Sequence, residues 1–200
     1  RSSDLGGTID KTDAVNNHLS GADADGNTVT NDFKTSAVNG TTQAAEKTSA
    51  DGKESTKTVN NTSAGGTGVT TSKTTTDSKD NVTVKESSFG TNEKGMTLST
   101  SNKVTDKDGK VTKDTSGTTT MTGDSISVSK TTTTTEKDAD GNEKEVTKTS
   151  GTTIGSGEVT LKREDGSTIE VGSAIEGMQS DMRELDGRVN RMGVEIKEVG

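Results

Sequence analysis

The side chains that could do chemistry are few. His18 is the only histidine and cysteine is absent. Neither a Ser-His-Asp nor a Cys-His arrangement is therefore expected within one chain. Three copies of His18 around a threefold axis would offer a metal three imidazoles. No acidic or cysteine partner stands at ligand spacing beside it, so no metal is expected there. Carboxylates are abundant but scattered, and no pair can be singled out for acid-base work. A phosphate-cradling GxxxxGK[ST] loop is missing as well. The chain reads as a non-enzyme that needs no cofactor.

The strings "DADGN" at 23–27 and 138–142 and "DKDG" at 106–109 look like half of a calcium loop. None carries the remaining carboxylate and the terminal Glu at EF-hand spacing. Gly21 and Val104 fall at first positions, and Thr147 falls where the Glu belongs. Tight hairpin turns explain these strings better. The dipeptides Asp25-Gly26, Asn39-Gly40, Asp51-Gly52, Asp108-Gly109, Asp140-Gly141 and Asp165-Gly166 are strong turn signals between Thr- and Val-rich stretches.

Phe33 and Phe89 are the only aromatics. Both are expected to plug a sparse core between strands or chains. If one is instead exposed as a receptor-binding anchor, Phe89 is the better candidate, because Gly90, Asn92 and Gly95 put it beside an expected loop.

Composition bounds what can hold such residues in place. Hydrophobic residues make up 22% of the 200, and Leu, Ile, Val and Phe number 29, or 14.5%. That is below the roughly 20% that separates folded from disordered chains. A conventional monomeric core is not expected; the alternatives are disorder or a core shared between copies. The net charge of −8 and the near absence of aromatics argue against nucleic acid as a partner. No apolar run approaches the roughly 18 residues that span a bilayer. Beginning at Arg1, the chain reads as a segment of something longer.

The C-terminus breaks the polar pattern. Ile175, Met182, Val189 and Ile196 alternate with Met178, Leu185, Met192 and Val199 at spacings of 3 and 4, an uninterrupted a/d heptad seam. Ser173 with Glu176 forms an expected capping box. The narrow seam predicts a coiled coil over 173–200 rather than one helix on a domain core. Mixed branched and unbranched residues at both a and d, with no buried Asn, favour three strands over two.

Upstream, residues 1–172 read as a Thr/Gly-rich β head. In "EVTLKREDGSTIEV" a three-residue loop, Glu164 to Gly166, pairs Leu161 with Ile169 and Val159 with Val171 on one face, with Gly166 left-handed. In "NKVTDKDGKVTK" a four-residue loop would set Val104 opposite Val111. Ile126 and Val128 share a face. The block 112–128 is echoed at 147–161 and more faintly at 56–70, an irregular repeat. Thr-rich strands bury little apiece and persist when chains or coils stack.

A Cys-free, Thr/Gly/Asn-rich β region feeding a heptad helix resembles the passenger of a trimeric autotransporter adhesin of Gram-negative bacteria. Within "LDGRVNRMGVEIKEVG" the motif "RVNRMG", Arg188 to Gly193, is similar to the stalk helix that runs into the family's outer-membrane anchor. The 14-residue repeats of left-handed β-roll heads are not present. The Lys/Asn/Thr-heavy style resembles fusobacterial members, including one that binds CEACAM receptors. The resemblance implies a homotrimer at the bacterial cell surface, with a β-roll or β-prism-like head and a parallel trimeric stalk. It further implies a host cell-surface protein as partner, such as a member of the CEACAM family, and membrane attachment only through an anchor beyond this segment. A trimeric phage or virus fibre, or a disordered Thr-rich spacer with a zipper at its end, are the alternative readings.

Overall fold

In the computed structural model the backbone of residues 14–199 and the side chains as far as Gly193 are described. Twelve strands follow one another as an antiparallel meander, each hydrogen-bonded to its sequence neighbours in a single sheet. They are β1 (Ala14–Ala22), β2 (Thr28–Ser36), β3 (Gly40–Thr48), β4 (Glu54–Ser63), β5 (Gly66–Thr76), β6 (Val82–Asn92), β7 (Gly95–Thr105), β8 (Val111–Met121), β9 (Ser125–Lys137), β10 (Glu143–Gly155), β11 (Glu158–Lys162) and β12 (Thr168–Glu170). One helix, α1 (Val171–Val199), closes the chain. The chain is mainly β as expected, with its strands running from Ala14 to Glu170.

The six Asp-Gly and Asn-Gly turns all form, with their glycines at positive φ. Around Gly166 the expected three-residue loop is present. Gly166 donates to the Arg163 carbonyl at 2.9 Å, Arg163 donates to Ser167, and Leu161 lies opposite Ile169. Val171 does not join the sheet; it begins the helix. The same five-residue turn recurs at 23–27, 77–81, 106–110 and 138–142. It corrects the Val104–Val111 pairing. The turn fixes Asp106 opposite Lys110, so Thr105 meets Val111. The slip is then absorbed by a bulge at Thr112, leaving Val104 opposite Lys113. At 77–81 the residue in the left-handed position is Asp80, with φ 63°, where the sister turns carry glycine.

The five-residue turns and the Asp51-Gly52 turn lie at one end of the sheet, because they join odd-numbered strands to the next even one; the Asn39-Gly40 turn joins β2 to β3 at the other. The shorter connections lie at the other end, where β12 delivers the chain into α1. The three echoing blocks correspond to the hairpins β4–β5, β8–β9 and β10–β11.

Thr-rich strands hold together by their ladders and by hydroxyl pairs across them. Examples are Thr35–Thr41 at 2.9 Å, Thr62–Thr67 at 2.8 Å and Thr131–Thr149 at 3.0 Å. They do not make a core: among the described residues no hydrophobic side chain is buried.

Candidate functional site

Residues directly opposite in a ladder project from the same side of a sheet, and neighbours along a strand alternate. Carried through the register from Phe89, this divides the large apolar residues very unequally. Val69, Phe89, Met96, Leu98, Met121, Ile126, Val128, Ile154, Val159, Leu161 and Ile169 all share one face. Val15, Leu19, Val29 and Phe33 extend that face on β1 and β2. The opposite face, carrying Ser88, has Val59, Val82, Val84 and Val111 among Thr, Ser and carboxylates.

The apolar residues fall in two rows near the helix end. One runs Val69, Phe89, Leu98, Thr119, Val128, Thr152, Leu161, Ile169 from β5 to β12. The next runs Thr91, Met96, Met121, Ile126, Ile154, Val159. Nothing among the described residues covers this band: Phe89 and Leu98 each remain 43% exposed and Ile154 52%. A continuous apolar patch of this extent marks an interaction surface.

The two aromatics are not in a core within the chain. Phe33 and Phe89 lie on the same face, each 43% exposed. Phe89 sits in β6 between Val69 and Leu98, three residues before the strand ends at Asn92 and the chain turns into β7. The parity of the apolar residues within each strand, as in Met96/Leu98 or Val159/Leu161, was the signal for the shared face. It becomes visible only when the turns fix every register.

The helix repeats the situation. Ile175, Met178, Met182, Leu185, Val189 and Met192 are all exposed, from 47% to 69%. Ile196 and Val199 lie outside the residues whose side chains are described. Gly177, Gly187 and Gly193 lie in the helix interior, each costing about 1 kcal/mol relative to alanine. The one side-chain ion pair described along it, Glu184–Arg188 at 2.7 Å, is exposed and gives only a few tenths of that back. Such a helix needs partners.

Helix and sheet are joined by a residue that sequence reading missed. α1 begins at Val171, so Ser173 lies inside the helix and the Ser173–Glu176 box does not form. Its place is taken by Glu158 of β11, whose carboxylate accepts from the amides of Gly172 and Ser173 and from the Ser173 hydroxyl. The Gly172 bond is the chief reason its carboxyl is held below the usual range. Helix amides seeking an acceptor and a nearby carboxylate make a cap of tertiary origin.

The remaining candidates resolve into structure. His18 on β1 faces Asp32 on β2 and contacts its carboxylate, an acidic partner that linear spacing concealed. The Asp23 carboxylate accepts from the amides of Asp25 and Asn27 and from the Asn27 side chain, each at 3.0 Å. Asp138 accepts from Asp140 and Asn142 in the same way. These carboxylates serve as turn staples. Asp23 is lowered to about 2, first by its Asn27 side-chain bond. Among the described residues no group of three metal-ligating side chains converges, and no helix is long and apolar enough to cross a membrane. No family model, curated protein or solved structure matches the chain.

Proposed function

We propose that this chain is part of a homotrimeric bacterial surface adhesin. In this reading three sheets close on one another through the apolar band and three helices wind into a parallel coiled coil. The head they form binds a host cell-surface protein. The observation that carries the assembly is the uncovered apolar band, continued through the Glu158 clamp into an uncovered heptad seam. Burying the exposed half of each band residue is worth about 1 kcal/mol. The band then supplies on the order of 10 kcal/mol per chain, enough to offset the cost of association.

Adhesion itself rests on the resemblance of the stalk motif and head style to trimeric autotransporter passengers. Phe89 sits in the band on β6, next to Val69 at its β5 edge, and this assembly places it between copies. The receptor surface then falls to the Ser88 face, the turns or the outer strands.

The test has two readouts on the whole chain. Light scattering should give the mass of three chains. Beads coated with the protein should attach to host epithelial or immune cells and be released by soluble protein. A mass of one or two chains overturns the assembly. A trimer that attaches to no cell type overturns adhesion and favours a structural fibre.

A further inference from the structure

Beyond the apolar band, toward the Asp-Gly turns, the same face changes character. One row carries Lys47, Lys73 and Lys85 on β3, β5 and β6, continuing through Asn102 and Thr115 to Lys148 on β10. Lys130 on β9 stands in the row between these and the band. The acidic strand residues on this face are Glu54 and Glu136, whereas Asp32, Glu46, Glu86, Asp114, Glu143 and Glu145 project from the other. An acidic protein thus presents a cationic strip on one side.

Two features set this strip apart from a solvated charge run. Lys73 and Lys85 are directly opposite each other in the β5–β6 ladder, an arrangement in which like charges repel. Lys73 is paired with Glu54 at 3.1 Å, while Lys85, Lys130 and Lys148 have no ion-pair partner among the described residues. Part of the strip also floors a trough of about 950 Å³, lined by Lys73, Lys85, Lys130, Thr100 and Asn102, with Glu86 beside them and Leu98 and Val128 of the band at its border.

We propose that this trough binds an anionic polysaccharide, a linear sugar chain bearing sulfate or carboxylate groups. Lysines along it supply point charges for the anions, and the Ser, Thr and Asn side chains supply donors and acceptors for sugar hydroxyls. From Lys73 on β5 to Lys148 on β10 the strip crosses five strand intervals, about 24 Å, a length suited to a chain rather than a lone ion. Nucleic acid is the less fitting polyanion, because no aromatic side chain lines the trough for base stacking. The proposal adds a ligand class to the adhesin reading and requires its assembly to leave Lys85 and Lys130 open, because the trough reaches Leu98 and Val128 of the apolar band; a native trimer that binds neither heparin nor hyaluronan therefore overturns the proposal and leaves that assembly standing.

The experiment titrates the full-length chain with heparin, with hyaluronan, with duplex DNA and with anionic lipid vesicles. It compares the chain with K85Q/K130Q/K148Q and with a control, K34Q/K103Q, altered on the opposite face. Circular dichroism and light scattering establish that all three share one fold and mass. Expected are heparin binding that weakens with added salt, a loss of roughly tenfold or more in the trough variant, and no change in the control. Absence of heparin and hyaluronan binding by the native chain overturns the proposal, as does equal loss in the control or tighter binding to DNA or vesicles. A trough variant that no longer folds is replaced by single substitutions at Lys85 and Lys130; unchanged affinity in both also overturns it. Cell attachment is read separately, so loss of heparin binding with attachment intact removes this site and leaves the adhesin reading standing.

Discussion

Glu158, near the start of β11, holds the helix that begins thirteen residues later: its carboxylate accepts the Ser173 amide at 3.1 Å and the Ser173 hydroxyl at 3.2 Å, beside the Gly172 amide. Gly172 has no side chain, and a Cβ there would meet the Glu158 carboxylate oxygens at 2.9 Å. The junction between sheet and helix is therefore a fitted contact, which fixes the direction in which the seam leaves the sheet.

The first prediction concerns that clamp. Replacing Glu158 by Gln keeps the shape and removes the charge that the helix amides favour. Glu158→Gln should lower the thermal midpoint at neutral pH, and Gly172→Val should do so more strongly by displacing the carboxylate. Because the carboxyl is held below its ordinary value, its contribution is complete above the unfolded pKa and disappears as pH falls through the folded one. The variant should therefore differ from the native chain at pH 7 and converge with it in acid. Melting curves across pH decide this; a constant difference at all pH would refute it.

A second prediction follows from the turns. Asp23 is lowered to about 2, and Asp51, Asp77 and Asp165 are lowered too, chiefly by side-chain bonds from Asn27, Ser49, Asn81 and Ser167 respectively. Each stabilises the fold above the ordinary Asp range and ceases to as pH drops through its folded value. Stability should be flat near neutrality and decline below about pH 4. Asp23→Ala should flatten that decline and lower the neutral-pH plateau. An acid titration followed by circular dichroism that showed no loss by pH 2 would contradict the staple role.

Backbone geometry gives a third pair of expectations with opposite signs. Gly95 has φ 144°, and an added Cβ would sit 2.1 Å from the Met121 carbonyl oxygen. Gly95→Ala should destabilise by more than about 2 kcal/mol, since neither the backbone angle nor the neighbour can yield cheaply. Asp80 occupies a left-handed position that glycine fills in the sister turns. Asp80→Gly should stabilise by up to about 1 kcal/mol, provided the stapling Asp77 remains. Urea denaturation of the two variants measures both.

What the sequence revealed follows the range of the interactions. Asp-Gly turns are local chemistry, so their positions, the left-handed Gly166 and the Leu161–Ile169 pairing could be read from a few residues. The helix that carries the heptad spacing was equally legible. The Val104 register was not, because a turn spanning one residue fewer competed with an extra residue at Thr112, and only the ladder decides between them. The Glu158 cap and the His18–Asp32 contact join residues fourteen or more apart, and no local pattern announces them. The shared face of Phe33, Phe89 and Ile169 required the registers of all the ladders from β2 to β12 at once. Low apolar content pointed to a shared core, and the fold adds that the scarce apolar residues are concentrated on one side.

The final prediction tests whether that side and the helix seam are one interface. If three copies meet along both, Leu98 in the band and Leu185 in the seam face copies of themselves or their neighbours. A carboxylate at either point would be brought among apolar groups and like charges. Leu185→Asp alone should weaken the stalk and leave the head associated at high concentration, because the band carries most of the apolar area. Leu98→Asp alone should loosen the head while the seam still holds three chains. The double variant should run as a monomer that binds a hydrophobic dye. A control, Val84→Asp, places the same charge on the Ser88 face and should leave the mass unchanged. Light scattering over a concentration series distinguishes these outcomes. A monomer from Leu185→Asp alone would show that the band does not bring copies together. An undisturbed trimer from the double variant would show that neither surface does, and would require another explanation for apolar side chains left half in water.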